Sequence, residues 1–334
     1  MMNIGVDRWV SAAAVIVVVA GNGVCPFPVA NAQTSDYPSK PIRFIVPYAS
    51  GGPADVVARV IGQKLSENLG QQVVVDLRPG AGGNVGTAAA AKAPPDGYTM
   101  VMGTIGNYVF NLSLYKKLPY DPVKDFAPVS LVASYGNVLV VHPSLPVRSV
   151  KELVAMALKR PGELNYASAG NGTSIHIAAE LFQFMTRTKL VHVPYKGGAP
   201  AVVDLVGGHV PIMFDTITEA LPHIRSGRLR ALGVTGSQRS RNLPDVPTIA
   251  EAGVAGYAFI GWTGVFVPAG TPASIVDRLN EEIVKVVQSP EIGSRITQDG
   301  ADPVGSTPEE LARTIDSGFK KWDVVIKKAG IYLD

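Results

Sequence analysis

Cysteine is almost missing from this chain: among 334 residues there is only Cys25, and it falls in an N-terminal stretch that reads as removable. The remainder would have no disulfide, no thiol nucleophile and no thiolate metal ligand, and must fold on its apolar core. Charge is scarce as well. Asp, Glu, Lys and Arg make up 17% of the residues, the net charge is +3, and the basic residues are dispersed, which leaves no stripe for nucleic acid or a membrane surface. The five histidines, His142, His176, His192, His209 and His223, form no ligand-spaced cluster, so no metal and no cofactor is expected. No apolar run reaches the roughly 20 residues of a spanning helix.

What the N-terminus does contain is a short polar start, the apolar segment Ser11–Ala20, and Ala30-Asn31-Ala32, the small-x-small pattern of a cleavage site. Residues 1–32 therefore read as an export signal cleaved near Ala32, with the mature chain beginning near Gln33. The shortness of the apolar segment disfavours a membrane anchor. A lipid-bearing Cys25 is disfavoured because Asn22-Gly23-Val24 lacks the small residue expected just before it.

From Ile42 onward, short β-branched runs alternate with amphipathic segments, the pattern of α/β domains with largely parallel sheets. The spacing predicts strands at Ile42–Val46, Val73–Leu77 and Thr99–Met102, with helices at Ala54–Leu69 and Asn84–Ala91. Two separate β-rich runs follow, Pro128–Ala133 and Val138–His142, split by Tyr135-Gly136-Asn137. A second α/β series then runs to strand Val210–Phe214 and strand Arg230–Val234. The final helices, Ala273–Gln288, Glu291–Gln298 and Pro308–Ala329, need a partner surface, which the first half supplies most economically. Lobe one is then discontinuous (33–131 and 261–334), lobe two (132–260) is inserted, and two connecting strands form the hinge. Ligands in open α/β sheets sit beyond the carboxyl ends of strands, here in a cleft between the lobes.

Glycine-rich turns cluster at that edge. In Ile42–Arg59 a buried strand stops at Pro47, Gly51 and Gly52 let the backbone approach a ligand, and Pro53 suits the first helical turn. Free amides and the positive end of the helix dipole can hold a carboxylate or phosphate there without a basic side chain; an ordinary strand-to-helix connection is the alternative. The turn Ser168–Ser174 repeats the arrangement in lobe two, where Thr173 and Ser174 either cap a helix or add hydroxyls to a second cradle. Asp55 suits a structural role in the first helical turn more than ligand contact, and Asp215 stands at a strand end. Tyr48 and Tyr108 are cleft candidates, whereas Tyr257 and Trp262 fit core or hinge packing. Gly80-Ala81-Gly82-Gly83-Asn84-Val85 has Val85 where a dinucleotide fingerprint needs glycine, and neither Ser168 nor Ser174 sits in a nucleophile elbow.

Six ordered stretches carry a resemblance over nearly the whole mature chain: YPSKPIRFIVPYASGGPADVVAR, GQQVVVDLRPGAGGNVGTAAAAKAPPDGYTM, NYASAGNGTSIHIAAELF, HVPYKGGAPAVVDLVGGHVPIMFD, LPDVPTIAEAG and GWTGVFVPAGTP. They resemble the tripartite tricarboxylate transporter receptors, also called Bug proteins. The resemblance implies a periplasmic solute receptor with a two-lobed, type II-like Venus-flytrap fold, whose first strand–helix loop and a lobe-two loop hold a ligand carboxylate. Carried onto this sequence, the candidate ligand contacts are Tyr48, Ala49, Ser50, Gly51, Gly52, Asp55, Thr104, Ser168, Gly170, Gly172, Thr173, Ser174 and Asp215. Tyr48-Ala49-Ser50 occupies a variable part of the first loop, and Asp76-Leu77-Arg78 stands where the family often has Glu-Asn-Arg.

The expected function is therefore capture of a small organic carboxylate by a monomer that does no chemistry on it and delivers it to membrane transporter subunits. A ligand sensor for a signalling protein is the second reading. An exported carboxylate-ester hydrolase using Ser168 or Ser174 is the third.

Overall fold

A computed structural model describes residues 37–332; the expected export signal, its cleavage point and Cys25 lie outside the described residues. The strands are β1 (Ile42–Val46), β2 (Val73–Leu77), β3 (Thr99–Thr104), β4 (Phe126–Val141), β5 (Asn165–Ser168), β6 (Val191–Pro194), β7 (Ile212–Thr216), β8 (Arg230–Val234), β9 (Ile260–Pro268) and β10 (Asp302–Pro303). The α-helices are α1 (Pro53–Leu69), α2 (Asn84–Ala91), α3 (Asn111–Leu114), α4 (Val150–Lys159), α5 (Ser174–Thr186), α6 (Gly198–Val206), α7 (Ile217–Arg225), α8 (Ala273–Val287), α9 (Pro290–Gln298) and α10 (Pro308–Ala329).

Local chemistry sets the ends of these elements. In α1, Gly52 is the N-cap, Pro53 opens the first turn, and Gly70 ends the helix in the left-handed region at φ 67°. In α10, Thr307 and Glu310 form a reciprocal capping box before Pro308 starts the climb. Most elements match the sequence expectation within two residues. Three do not. The runs on either side of Tyr135-Gly136-Asn137 form one 16-residue strand, β4, because Gly136 and Asn137 stay extended and pair with Ile260 and Thr216. A widened helical turn, Gly106–Phe110, leads into α3 where no helix was expected. Helix α7 separates β7 from β8, although Pro222 lies inside it.

The long strand β4 organises the sheets. Its first part, Phe126–Gly136, pairs antiparallel with β9, which pairs antiparallel with β3; β3, β1 and β2 run parallel. Its last five residues, Asn137–Val141, instead pair with β7 and β8, and β7, β5 and β6 run parallel. The result is a two-lobed α/β fold in which β4 belongs to both sheets. Thr235 pins the crossing: its hydroxyl donates to Phe259 O at 2.9 Å and accepts from the Asn137 amide at 2.8 Å. Phe44, Ile45, Met100 and Val265 are buried in the first sheet, and Tyr166, Met213 and Phe214 in the second. Each large apolar side chain buried this way contributes about 1.5–3 kcal/mol of burial free energy. Two faces so anchored present their strand ends, and the loops beyond them, to each other.

Candidate functional site

The loop after β1 is folded by a carboxylate. Asp55, only 2% exposed, accepts from the Ser50 hydroxyl at 2.8 Å and the Gly51 amide at 3.0 Å, while its other oxygen takes the Arg59 guanidinium at 2.7 Å. The Gly51 N–H is therefore committed inside the loop to Asp55. Tyr48 turns inward, where its hydroxyl donates to Asn107 Oδ1 at 2.6 Å and meets Thr104 Oγ1 at 2.7 Å.

The loop after β5 is held by neutral groups. The Ser168 hydroxyl meets His192 Nε2 at 2.5 Å and accepts from the Gly170 amide at 3.1 Å. Thr173 donates to Gly170 O at 2.7 Å and caps α5 through the His176 amide. The Gly172 amide donates to His176 Nδ1 at 3.2 Å, so that nitrogen is a bare acceptor. Burial, helped by the neighbouring His192, pulls the His176 pKa down to about 3; burial alone lowers that of His192 to about 4. The two imidazoles stack with ring centroids 4.2 Å apart.

Between these loops lies a cavity of about 50 Å³, lined from lobe one by Tyr48, Ala49, Gly52 and Thr104 and from lobe two by Thr173, Ser174, Thr216 and Glu219, with Tyr135 of the crossing strand between them. The lobes are closed on one another around it: a Cβ on Gly82 would lie 2.1 Å from Asn171 O. Among the described residues, no Lys, Arg or His lines the cavity. Its donors are hydroxyls and the N-terminus of α5, a set that suits an anion without a guanidinium clamp, whereas the start of α1 faces the Glu219 carboxyl. The Tyr135 hydroxyl is hydrogen-bonded to Ser174, and burial together with the negative Glu219 pushes its pKa up to about 12. Thr263, directly opposite Thr104 across β9 and β3, carries a buried hydroxyl with no partner on the same sheet face.

The candidate contacts thus divide. Tyr48, Ala49, Gly52, Thr104, Thr173 and Ser174 line the cavity. Ser50 and Asp55 shape the first loop; Gly51 faces an outer groove beside α6 and α7. Ser168 is fully buried and Gly170 borders a separate hollow between the loops; Gly172 packs against Asn111 across the lobes. Asp215 is fully buried behind the wall, its Oδ1 taking the Thr216 amide at 2.8 Å. Tyr108 is a core residue, stacked on Phe266 at 3.7 Å, and Tyr257 is also in the core.

Glu219, Thr216, Tyr135 and Gly198 were missed. The signal for Glu219 was present: Thr216-x-x-Glu219 has capping-box spacing, and the Thr216 hydroxyl accepts from the Glu219 amide at 3.3 Å. Burial and the adjacent Glu219 hold the Asp215 carboxyl well above the usual carboxylate range, and burial raises Glu219 as well.

The chain is similar to known proteins over most of its length. The family profile for "Tripartite tricarboxylate transporter family receptor" matches residues 57–331. Protein BugT of Bordetella pertussis is 40% identical over 298 residues, 89% of this chain and 91% of the relative. The structure titled "R. palustris Rpa4515 with adipate" superposes with a TM-score of 0.87 at 40% identity, covering 89% of this chain and all of the other. MatC (Rpa3494) from Rhodopseudomonas palustris, solved with bound malate, gives a TM-score of 0.83 at 33% identity over 87% of this chain and all of MatC. The two-lobed fold described above is the type II-like fold of these periplasmic binding proteins.

Proposed function

Because this chain belongs to the tripartite tricarboxylate transporter receptor family, we propose that it is a periplasmic receptor that captures a small organic carboxylate and delivers it to a membrane transporter. The observation that carries the reading is a cavity shared by both lobes, rich in hydroxyls, fronted by the N-terminus of α5 and, among the described residues, free of basic side chains. Two relatives were solved with small carboxylates, adipate in one and malate in the other.

In this reading the export signal is residues 1–32, lobe one is 33–131 with 261–334, and lobe two is 132–260. The ligand carboxylate accepts from the free amides at the N-terminus of α5 and from the Ser174 hydroxyl, with the Thr104 and Thr173 hydroxyls holding the loops around it. Closure expels water and strengthens those bonds, and the crossing strands around Tyr135 and Gly261 bend to release the ligand. The ligand leaves chemically unchanged: Ser168 is enclosed by its own loop, and beside Ser174 no histidine among the described residues lines the cavity to serve as its base.

Native mass spectrometry of the protein purified from the periplasm, followed by thermal-shift screening against mono-, di- and tricarboxylates, aromatic acids and amino acids, tests this. A stabilising acid recovered intact is the expected result. Failure of every acid to bind, or recovery of an altered product, overturns it.

A further inference from the structure

Glu219 divides two spaces. Its carboxyl faces the inner cavity on one side and the outer groove between α6, α7 and Gly51 on the other. It is seated against two helix starts: a Cβ on Gly198 would lie 2.0 Å from Oε2, and one on Gly52 would lie 3.2 Å from Oε1. Only glycine at 198 leaves room for that carboxyl. The N-terminal ends of α6 and α1 favour its ionised form, and among the described residues it has no ion pair. Behind it, Asp215 is fully buried with Oδ2 unpartnered. Of two adjacent buried carboxyls, the one seated against helix starts gives up its proton first, which is Glu219, while burial and that neighbour raise Asp215 well above the usual carboxylate range.

The cavity wall carries the hydroxyls of Thr104, Thr173 and Ser174 together with an acid supplied by the protein itself, Glu219. Resting on the carboxylate-receptor reading, we infer that Glu219 is a specificity-determining residue that selects a carboxylate bearing a hydrogen-bond donor, an ammonium or hydroxyl, at its far end in preference to a plain dicarboxylate. A second carboxylate placed there meets a fixed acceptor of the same charge and offers it no hydrogen, whereas a donor completes its bonding.

The test is calorimetric affinity for matched acids that differ only in the far group: succinate, 4-aminobutanoate and 4-hydroxybutanoate, and the corresponding six-carbon set. The wild-type protein is expected to bind the better donor-bearing acid at least tenfold more tightly than the dicarboxylate of the same length. Glu219→Gln keeps the side-chain shape and should cut that preference at least tenfold. The wild-type ranking stands without the variant should Glu219→Gln melt abnormally. A wild-type preference for the dicarboxylate, or a donor preference that survives in a folded Glu219→Gln, overturns the inference and leaves the receptor reading intact. Absence of binding by every acid in both sets and in the wider screen removes the receptor reading and this inference with it.

Discussion

The loops after β1 and β5 occupy equivalent places at the two sides of one cavity, yet they are built from opposite chemistry. The first is gathered by the Asp55 carboxylate, which takes the Ser50 hydroxyl, the Gly51 amide and the Arg59 guanidinium. The second is gathered by two stacked imidazoles that must remain neutral, with Ser168 and the Gly172 amide hung from them. An anion cradle thus needs no fixed internal charge pattern. It needs glycine-containing backbone held still, and this fold achieves that once with an ion pair and once without.

The largest expected difference between the loops comes from their glycines. Gly172 has φ 76°, and a Cβ there would lie 2.2 Å from Asn111 Oδ1 across the lobes; Asn111 is pinned in turn by its bond to Asn84 at 2.7 Å. Gly51 has φ 97° but nothing within 4 Å of its missing Cβ. Gly172→Ala should therefore block closure, lowering affinity at least about 100-fold, which is about 3 kcal/mol. Gly51→Ala bears only backbone strain of about 1–2 kcal/mol and should weaken binding tenfold or less. Calorimetry on both variants with the acid found by screening decides it; equal losses would mean that crowding between the lobes is not what Gly172 avoids.

Acid sharpens the same contrast. His176 and His192 are held neutral in the fold, with pKa values of about 3 and about 4 against 6.5 for a free imidazole. The unfolded chain takes up protons first as pH falls. Their contribution is thus complete above pH 6.5 and is lost from there down to about 4 for His192 and about 3 for His176, at roughly 1 kcal/mol per pH unit for each ring. Glu180, Asp215 and Glu219, all raised by burial, work in the opposite sense, since a raised carboxyl favours the fold on the acid side. The histidine contribution is read as a difference between melting curves: relative to wild type, His192→Gln should gain stability as pH falls through this window by roughly 1 kcal/mol per pH unit, whatever the carboxyls add to both proteins. A difference that does not change with pH would place the acid sensitivity elsewhere than in the second loop.

How much of this was legible before folding differs between the loops and the wall behind them. The first turn could be read because a strand, Pro47, two glycines and Pro53 are consecutive in the chain, and consecutive residues fix a local geometry. The role of Asp55 as loop former was legible for the same reason: it lies four residues from Gly51 and four from Arg59. The seat of Glu219 was not, because its neighbours Gly198 and Gly52 come from other segments, and a helix of nine residues containing Pro222 reads as a break. The continuity of β4 was hidden similarly: Gly136 and Asn137 have turn chemistry, and only pairing with β9 and β7 holds them extended. Burial set by distant segments is the part a local pattern does not contain.

The smallest effect belongs to Ser168, and it separates a support from a contact. Its hydroxyl bonds His192 Nε2 and the Gly170 amide from a fully buried position outside the cavity wall. Ser168→Ala removes both bonds and leaves the Gly170 amide with no side-chain acceptor. The cost is about 1 kcal/mol, enough to loosen the second loop and weaken affinity about fivefold. A serine acting as nucleophile behaves otherwise. Replacing it would abolish turnover while affinity held or improved, because the acyl-transfer step, not binding, needs the hydroxyl. Calorimetry of Ser168→Ala, with nuclear magnetic resonance of the acid and its methyl ester after long incubation with each protein, separates the two. A modest affinity loss with both compounds intact is expected of a receptor, whereas ester hydrolysis by the wild type that disappears in the variant would make Ser168 catalytic.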